Sequence, residues 1–166
     1  MALESGRRGL ARSVVAIGPA GLWEEHPPPH VPYVFGALRF AAPRFPNVLK
    51  AAVRAGLFRE AAFAVPISVG CRQMPADDAV RVVEDLARSR AFEATFEASR
   101  SPFSGPDIAV PVTVAFGDRD YIVTRSSPYR NGLPAHTRWF TMKGWGHVPM
   151  WVDSIGVSRL ILKGTA

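Results

Sequence analysis

Two short loops hold the residues best suited to acid–base chemistry. The first is Phe116–Gly117–Asp118–Arg119–Asp120 and the second is Gly144–Trp145–Gly146–His147–Val148–Pro149. A carboxylate that accepts the Nδ1 proton of an imidazole fixes the ring's tautomer and stabilises the imidazolium formed during catalysis. Asp118 and Asp120 are the candidate carboxylates, and His147 is the candidate imidazole. In that arrangement His147 would act first as general base and then as general acid to a leaving group. The glycines fit the same reading, because a side chain must be lifted clear of its strand on a sharp turn.

Each loop must be carried by an element that points it at a common crevice. Pro111–Val–Thr–Val–Ala–Phe116 is a β-branched run closed by Gly117, and Thr137–Arg–Trp–Phe–Thr–Met142 reads as the next strand. Between them, Arg125 to Asn131, stopped by Gly132, reads as a short polar helix or turn. Val148 to Leu162 reads as a closing helix. Near the start, Met1 to Glu4 has the form of a helix tail, with Arg7 and Arg8 in its last turn and Gly6 and Gly9 to stop it. Ser13–Val–Val–Ala–Ile17, closed by Gly18–Pro19, is continuously apolar, as in a parallel strand buried on both faces. Strand, helix and strand in this order imply an α/β fold with a mainly parallel sheet. In such a sheet, ligands bind outside the carboxyl ends of the strands, so both loops face one crevice.

Residues 22–105 differ in character. Pro27 to Pro29 mark an irregular start, since proline donates no backbone hydrogen bond. Asn47 to Phe63 then shows apolar positions at helical spacing (Val48, Ala52, Val53, Leu57, Phe58), with Asn47 placed to cap it. Pro75–Ala–Asp–Asp78 opens a second helix with apolar positions Val80, Val83, Leu86 and Ala87. Ala91 to Ala98 forms a third, ended by Ser101–Pro102. No strand-like alternation occurs in this stretch, which is expected to be a helical insertion.

Taken together, these segments resemble the C-terminal part of the α/β-hydrolase family. Pro111 to Asp120 is similar to the penultimate strand and acid loop, and Gly144 to Met150 to the histidine loop. Arg12 to Gly21 is similar to the strand after the nucleophile elbow, where the chain leaves for the cap. Asp120 and His147 stand 27 positions apart in the family's order. The resemblance implies a partial α/β-hydrolase fold: residues 1–21 and 106–166 as core, and residues 22–105 as a helical cap, or lid. It places the triad acid at the third position after the strand-ending glycine, which is Asp120, and leaves Asp118 as a solvated loop carboxylate. His147 takes the place of the triad histidine. Tyr121, Ile122, Trp145 and Val148, beside these two, are expected to contact an apolar small-molecule substrate. No metal and no organic cofactor are implied.

The family's Gly-x-Ser-x-Gly elbow does not occur in the chain, and neither does its glycine-rich oxyanion loop. The nearest string, Pro66–Ile–Ser68–Val–Gly70, lacks the first glycine and falls in the helical insertion. Without a nucleophile and an oxyanion hole, His147 has no group to activate and no developing charge to stabilise. Only three strands are legible, against the about eight of a complete family sheet. The first would lack its central neighbour, leaving an apolar edge open to pairing or self-association. Two expectations follow: a part of a longer hydrolase whose elbow precedes Met1, cleaving an ester, amide or related bond, or a non-catalytic domain that pairs with a partner chain.

Composition narrows the classes further. The 166 residues, 48% hydrophobic and 20% charged, are ordinary for one globular domain. The net charge of +6 comes from arginines scattered among acids rather than a basic stripe, so no nucleic-acid partner is expected. No apolar run approaches the ~18 residues of a membrane span, so no membrane partner is expected either. Arg7–Arg8 before Ser13–Ile17 is too interrupted for an export signal, and a cytoplasmic location is expected. Cys71, the lone cysteine, cannot form an intrachain disulfide and reads as an inert buried thiol. His26 and His30 lack a third ligand and read as surface histidines of a lid loop. Met150, Trp151, Phe35, Phe40 and Phe63 are expected in the core or lining an apolar pocket.

Overall fold

The computed structural model describes residues 1–65, 67–123 and 129–165. Seven α-helices and three strands occur among them: α1 (Ala2–Arg7), β1 (Val14–Ile17), α2 (His30–Arg44), α3 (Pro46–Arg54), α4 (Gly56–Phe63), α5 (Ala76–Arg88), α6 (Phe92–Arg100), β2 (Val112–Gly117), β3 (Arg138–Met142) and α7 (Ser154–Thr165). The strands form one parallel sheet in the order β1-β2-β3, with Val14 opposite Val112 and Thr113 opposite Arg138. The fold is thus α/β with an open parallel sheet. No helix of the described residues is long and apolar enough to cross a membrane.

The period-2 alternation of a strand sends its side chains to two faces, and both are covered here. One face carries Val14, Ala16, Val112, Val114 and Phe116, packed with Leu3 of α1 and with Ile108. The other carries Ala115, with Val15, Ile17, Phe140 and Met142 around it, against Val157 and Leu160 of α7. Every residue of β2 is buried, as a central strand between two layers requires. Both helices approach the sheet through glycine. A Cβ at Gly6 would stand 2.7 Å from Val14 Cγ2, and one at Gly164 would stand 2.4 Å from Val15 Cγ2.

Residues 22–105 leave and rejoin the sheet at one place. The Phe103 amide donates to the Gly21 carbonyl at 2.7 Å, and the Trp23 indole donates to the Arg100 carbonyl at 3.2 Å. Between these ties the segment is helical and has a core of its own, built from Val53, Phe63, Cys71, Met74, Ala79 and Val83. Burial pushes the Cys71 thiol up to about 11, with the Glu60 carboxylate adding to the shift, so the group stays protonated at neutral pH.

Several boundaries differ from the sequence reading. The expected helix from Asn47 to Phe63 is two helices, broken at Ala55, whose ψ of 119° is extended. The break is held by Arg59, 6% exposed, which donates to the carbonyls of Val53 and Arg54 at 2.6 and 3.1 Å. Those are carbonyls that a helix end leaves free. Asn47 does not cap the first piece, which starts with Pro46 at its first position. A further helix, α2, forms where none was delimited. Its Pro32 falls in the first turn, where no N–H is needed. The closing helix starts later than Val148: Pro149–Trp151 is a 3₁₀ turn, and α7 follows Asp153, which accepts the Gly156 amide at 2.8 Å. Of the expected turn from Arg125 to Asn131, residues 125–128 lie outside the described residues, and Arg130–Gly132 is a 3₁₀ turn.

Two expected outcomes test this packing. Gly164→Ala forces α7 away from β1 and should destabilise the fold by ~1–3 kcal/mol, read as a lower Tm; an unchanged Tm would refute the close approach. Asp153 carries the second. Its carboxyl is held below the ordinary value of 3.8, first by the Trp145 indole and then by the Gly156 amide. Its stabilisation is therefore complete above that ordinary value and is lost as pH falls through the lowered folded value. Asp153→Ala should lower Tm at neutral pH and shrink the loss of stability on acidification. A Tm offset that stays constant down into the acid range would exclude this role.

Candidate active site

The three strands end together, and the turns that follow them meet. After β1 comes Gly18, whose φ of +55° suits glycine and whose amide donates to the Ala115 carbonyl at 2.8 Å. After β2 comes the acid loop, and after β3 the histidine loop. These last two continue the ladder beyond the strands. The Asp118 amide donates to the Met142 carbonyl at 3.0 Å, and the Arg119 amide to the Trp145 carbonyl at 2.9 Å. At Gly117 the approach is so close that a Cβ would lie 2.0 Å from the Trp145 carbonyl oxygen.

Asp120 and His147 are brought together. Asp120 Oδ2 lies 2.9 Å from His147 Nδ1, and the carboxylate is fully buried while the imidazole keeps 22% exposure. Asp120 Oδ1 accepts the amides of Ile122 and Val123 at 2.8 and 2.9 Å. Both oxygens of the buried acid are thereby hydrogen-bonded, as a buried carboxylate requires. The imidazole packs on Gly18, where a Cβ would stand 3.0 Å from Nδ1 and 3.2 Å from Cε1. Nδ1 faces the acid, so Nε2 is the ring nitrogen left for a reacting group.

Asp118 is not the solvated carboxylate expected. It is half-buried, and its Oδ1 accepts the Gly144 amide at 2.6 Å, tying the acid loop to the start of the histidine loop. Gly144 has a φ of +80°, and that turn aims its N–H at the neighbouring loop. The histidine loop is also anchored from below. The Trp145 indole is 2% exposed between the sheet and α7 and donates to Asp153 Oδ2 at 2.9 Å.

The four residues expected beside the crevice are placed differently from one another. Tyr121 is 49% exposed and Val148 is half-buried, whereas Ile122 and Trp145 are core residues. Ile122 joins the cluster under one face of the sheet, and Trp145 the cluster under the other. Among the aromatic and sulfur-bearing candidates, Phe63 is buried, while Phe40 and Met150 are exposed. Among the described residues no three His, Cys, Asp or Glu side chains group as a metal site.

Beside the site lies a groove of about 700 Å³ that follows the free edge of β1. Val15 and Ile17 of β1, Leu3 of α1, Ala98 of α6, and Pro19 and Ala20 line it. A second cavity of about 490 Å³ lies against β3 and includes Gly117 and Asp118 but neither Asp120 nor His147. Sequence reasoning missed Gly18 and Asp153 as parts of the site and read Asp118, a candidate acid, as solvated. The available signals were a glycine at the end of an apolar run and acids beside turn glycines.

No protein-family profile and no curated protein sequence matches the chain. Solved structures do. A meta-cleavage product hydrolase from Pseudomonas fluorescens, complexed with acetates, superposes with a TM-score of 0.57 at 16% identity over 98% of this chain. A bacterial membrane phospholipase A, described as a virulence factor, gives 0.56 at 20% identity over 99% of this chain. The chain spans 59% of the first protein's length and 53% of the second's. Identities this low speak to the fold alone, and the fold they share is consistent: the chain has an α/β-hydrolase-like fold, represented in part.

Proposed function

We propose that this chain supplies the acid–histidine half of a hydrolase active site. Asp120 orients His147 and stabilises its imidazolium. His147, through Nε2, withdraws the proton of a nucleophile and then returns it to the leaving group. The observation that carries the reading is the 2.9 Å contact between a fully buried Asp120 carboxylate and a partly exposed His147, at the carboxyl ends of a parallel sheet. The substrate is a small, mainly apolar ester, amide or related compound, and Tyr121 and Val148 flank its position beside the pair. Ile122 and Trp145 serve the same site from beneath, the first by its amide to Asp120 and the second by holding the histidine loop. Residues 22–105 act as the cap, and no metal or organic cofactor takes part.

The nucleophile comes from a segment carrying a Gly-x-Ser-x-Gly turn, which this chain does not contain. The free edge of β1 is where the strand leading to that turn adds, since Gly18, just past β1, already touches the imidazole. The same edge favours one other reading, a non-catalytic domain that pairs with a partner chain or with itself through β1.

The test is active-site labelling of the protein as its own cells produce it. Recovered with an antibody to α7, it is treated with a fluorophosphonate probe, which reacts with activated serines. Label on the recovered polypeptide, or on one that copurifies with it, is the expected result. The labelling rate should fall on the order of 10³–10⁴-fold in His147→Ala and Asp120→Asn. An unlabelled protein, or labelling indifferent to both substitutions, would overturn the catalytic reading in favour of the pairing domain.

A further inference from the structure

The helical segment touches both loops of the pair. At the acid loop, His30 Nε2, at the start of α2, is hydrogen-bonded at 2.5 Å to the carbonyl of Tyr121, the residue after Asp120. At the histidine loop, Ser68 and Val69 press on Gly146, the residue before His147. A Cβ on Gly146 would lie 2.2 Å from Ser68 Oγ and 2.8 Å from the Val69 nitrogen. Just beyond, Gly70 with φ +78° packs on Val152, where a Cβ would stand 2.6 Å from Val152 Cγ2. Trp151 in turn packs on the core of the helical segment. The segment thus touches the histidine loop at Gly146 and again at Trp151 and Val152.

The segment making this contact is stiff. The two oxygens of Glu60 accept the amides of Gly70 and Arg72 at 2.8 and 2.9 Å. The buried Arg59 beside it donates to the carbonyls of Cys71 and Arg72 at 3.0 and 3.2 Å. Ser68 is 2% exposed, and its hydroxyl has no hydrogen-bond partner among the described residues. A buried hydroxyl left unpaired is unfavourable, and this one is placed directly over the Cα of Gly146. Its role in the fold is steric contact with the histidine loop.

We infer that the helical segment is a two-point positioning clamp on the pair. His30 sets the acid loop and Ser68–Val69 sets the histidine loop, so the Asp120–His147 bond is made only while the segment is seated. The inference rests on the reading of Asp120 and His147 as a catalytic pair. It adds that a cap of this kind cannot lift as a rigid body without disarming the histidine. His30 and residues 68–69 are positioning residues, since they act through the loops.

The readout is the His147 ring itself. The chain has four histidines, so ¹⁵N-resolved proton spectra can follow the Nδ1 proton of His147, with His26 and His136 as internal controls. In the unaltered chain this proton should be protected from exchange, and it should lose protection in Asp120→Asn. Gly146→Ala and His30→Ala, one on each loop, should each raise its exchange rate by about ten-fold or more while the control histidines stay unchanged. His30→Gln, which keeps a donor, should restore part of the protection. Where Gly146→Ala fails to fold, His30→Ala decides the matter. Protection lost in Asp120→Asn but altered by less than about two-fold in His30→Ala would overturn the clamp and leave the pair standing. A His147 proton unprotected in the unaltered chain would overturn the pair itself.

Discussion

The structure depends on the absence of a side chain at Gly117. The carbonyl oxygen of Trp145 occupies the place where a Cβ would stand, 2.0 Å from it. That approach lets the Arg119 amide reach Trp145 and the Gly144 amide reach Asp118, so two loops become one hydrogen-bonded unit. Asp120 and His147 then need no long or mobile side chain to meet. Both are short side chains on fixed backbone, and little conformational entropy is lost in making their bond. The geometry of the pair is thus a property of backbone contacts.

The unit is supported from two sides by different chemistry. Beneath it, Trp145 fills the space between sheet and α7, and its indole N–H is satisfied by Asp153. Asp153 also accepts the Gly156 amide in the first turn of α7, so one carboxylate fixes both the start of a helix and the base of the histidine loop. Above it, His30 reaches the Tyr121 carbonyl of the acid loop, and the contact with the histidine loop is steric. Gly146 and Gly70 admit close backbone approach, and the Arg59–Glu60 neighbours of α4 hold the approaching segment in shape.

This division also explains what was legible in the sequence. The strands and the two loops could be read because their signals are local: β-branched runs closed by glycine, and polar residues gathered on turns. Asp120 could be told from Asp118 only through family resemblance, since both stand within reach of the same turn. The part Asp118 plays depends on the φ of Gly144, a residue 26 positions away. The break at Ala55 was hidden for a similar reason. Helical periodicity runs unbroken from Val48 to Phe58, and the interruption is held by the guanidinium of Arg59 reaching back to carbonyls it does not neighbour in sequence. Trp145 was read toward the crevice by its position beside His147. Its large apolar area and its single N–H are satisfied together in the opposite direction. α2 was obscured by composition, since prolines and a glycine lower its propensity, although Pro32 falls in its first turn and Pro43 next to its last residue.

The least ordinary feature is the edge of β1. Its two sides are unequal: toward β2 it makes a parallel ladder, and away from β2 it borders an apolar groove. Sheets usually blunt a free edge with charge, proline or a bulge, because unpaired N–H and C=O groups template further pairing. β1 is Val–Val–Ala–Ile and has none of these within it. The groove is lined by residues of α1 and by Ala94 and Ala98 of α6. An edge of this kind and a histidine turned toward its end are parts of one geometry. The turn that follows β1 belongs to the same arrangement, since Gly18 is in contact with His147.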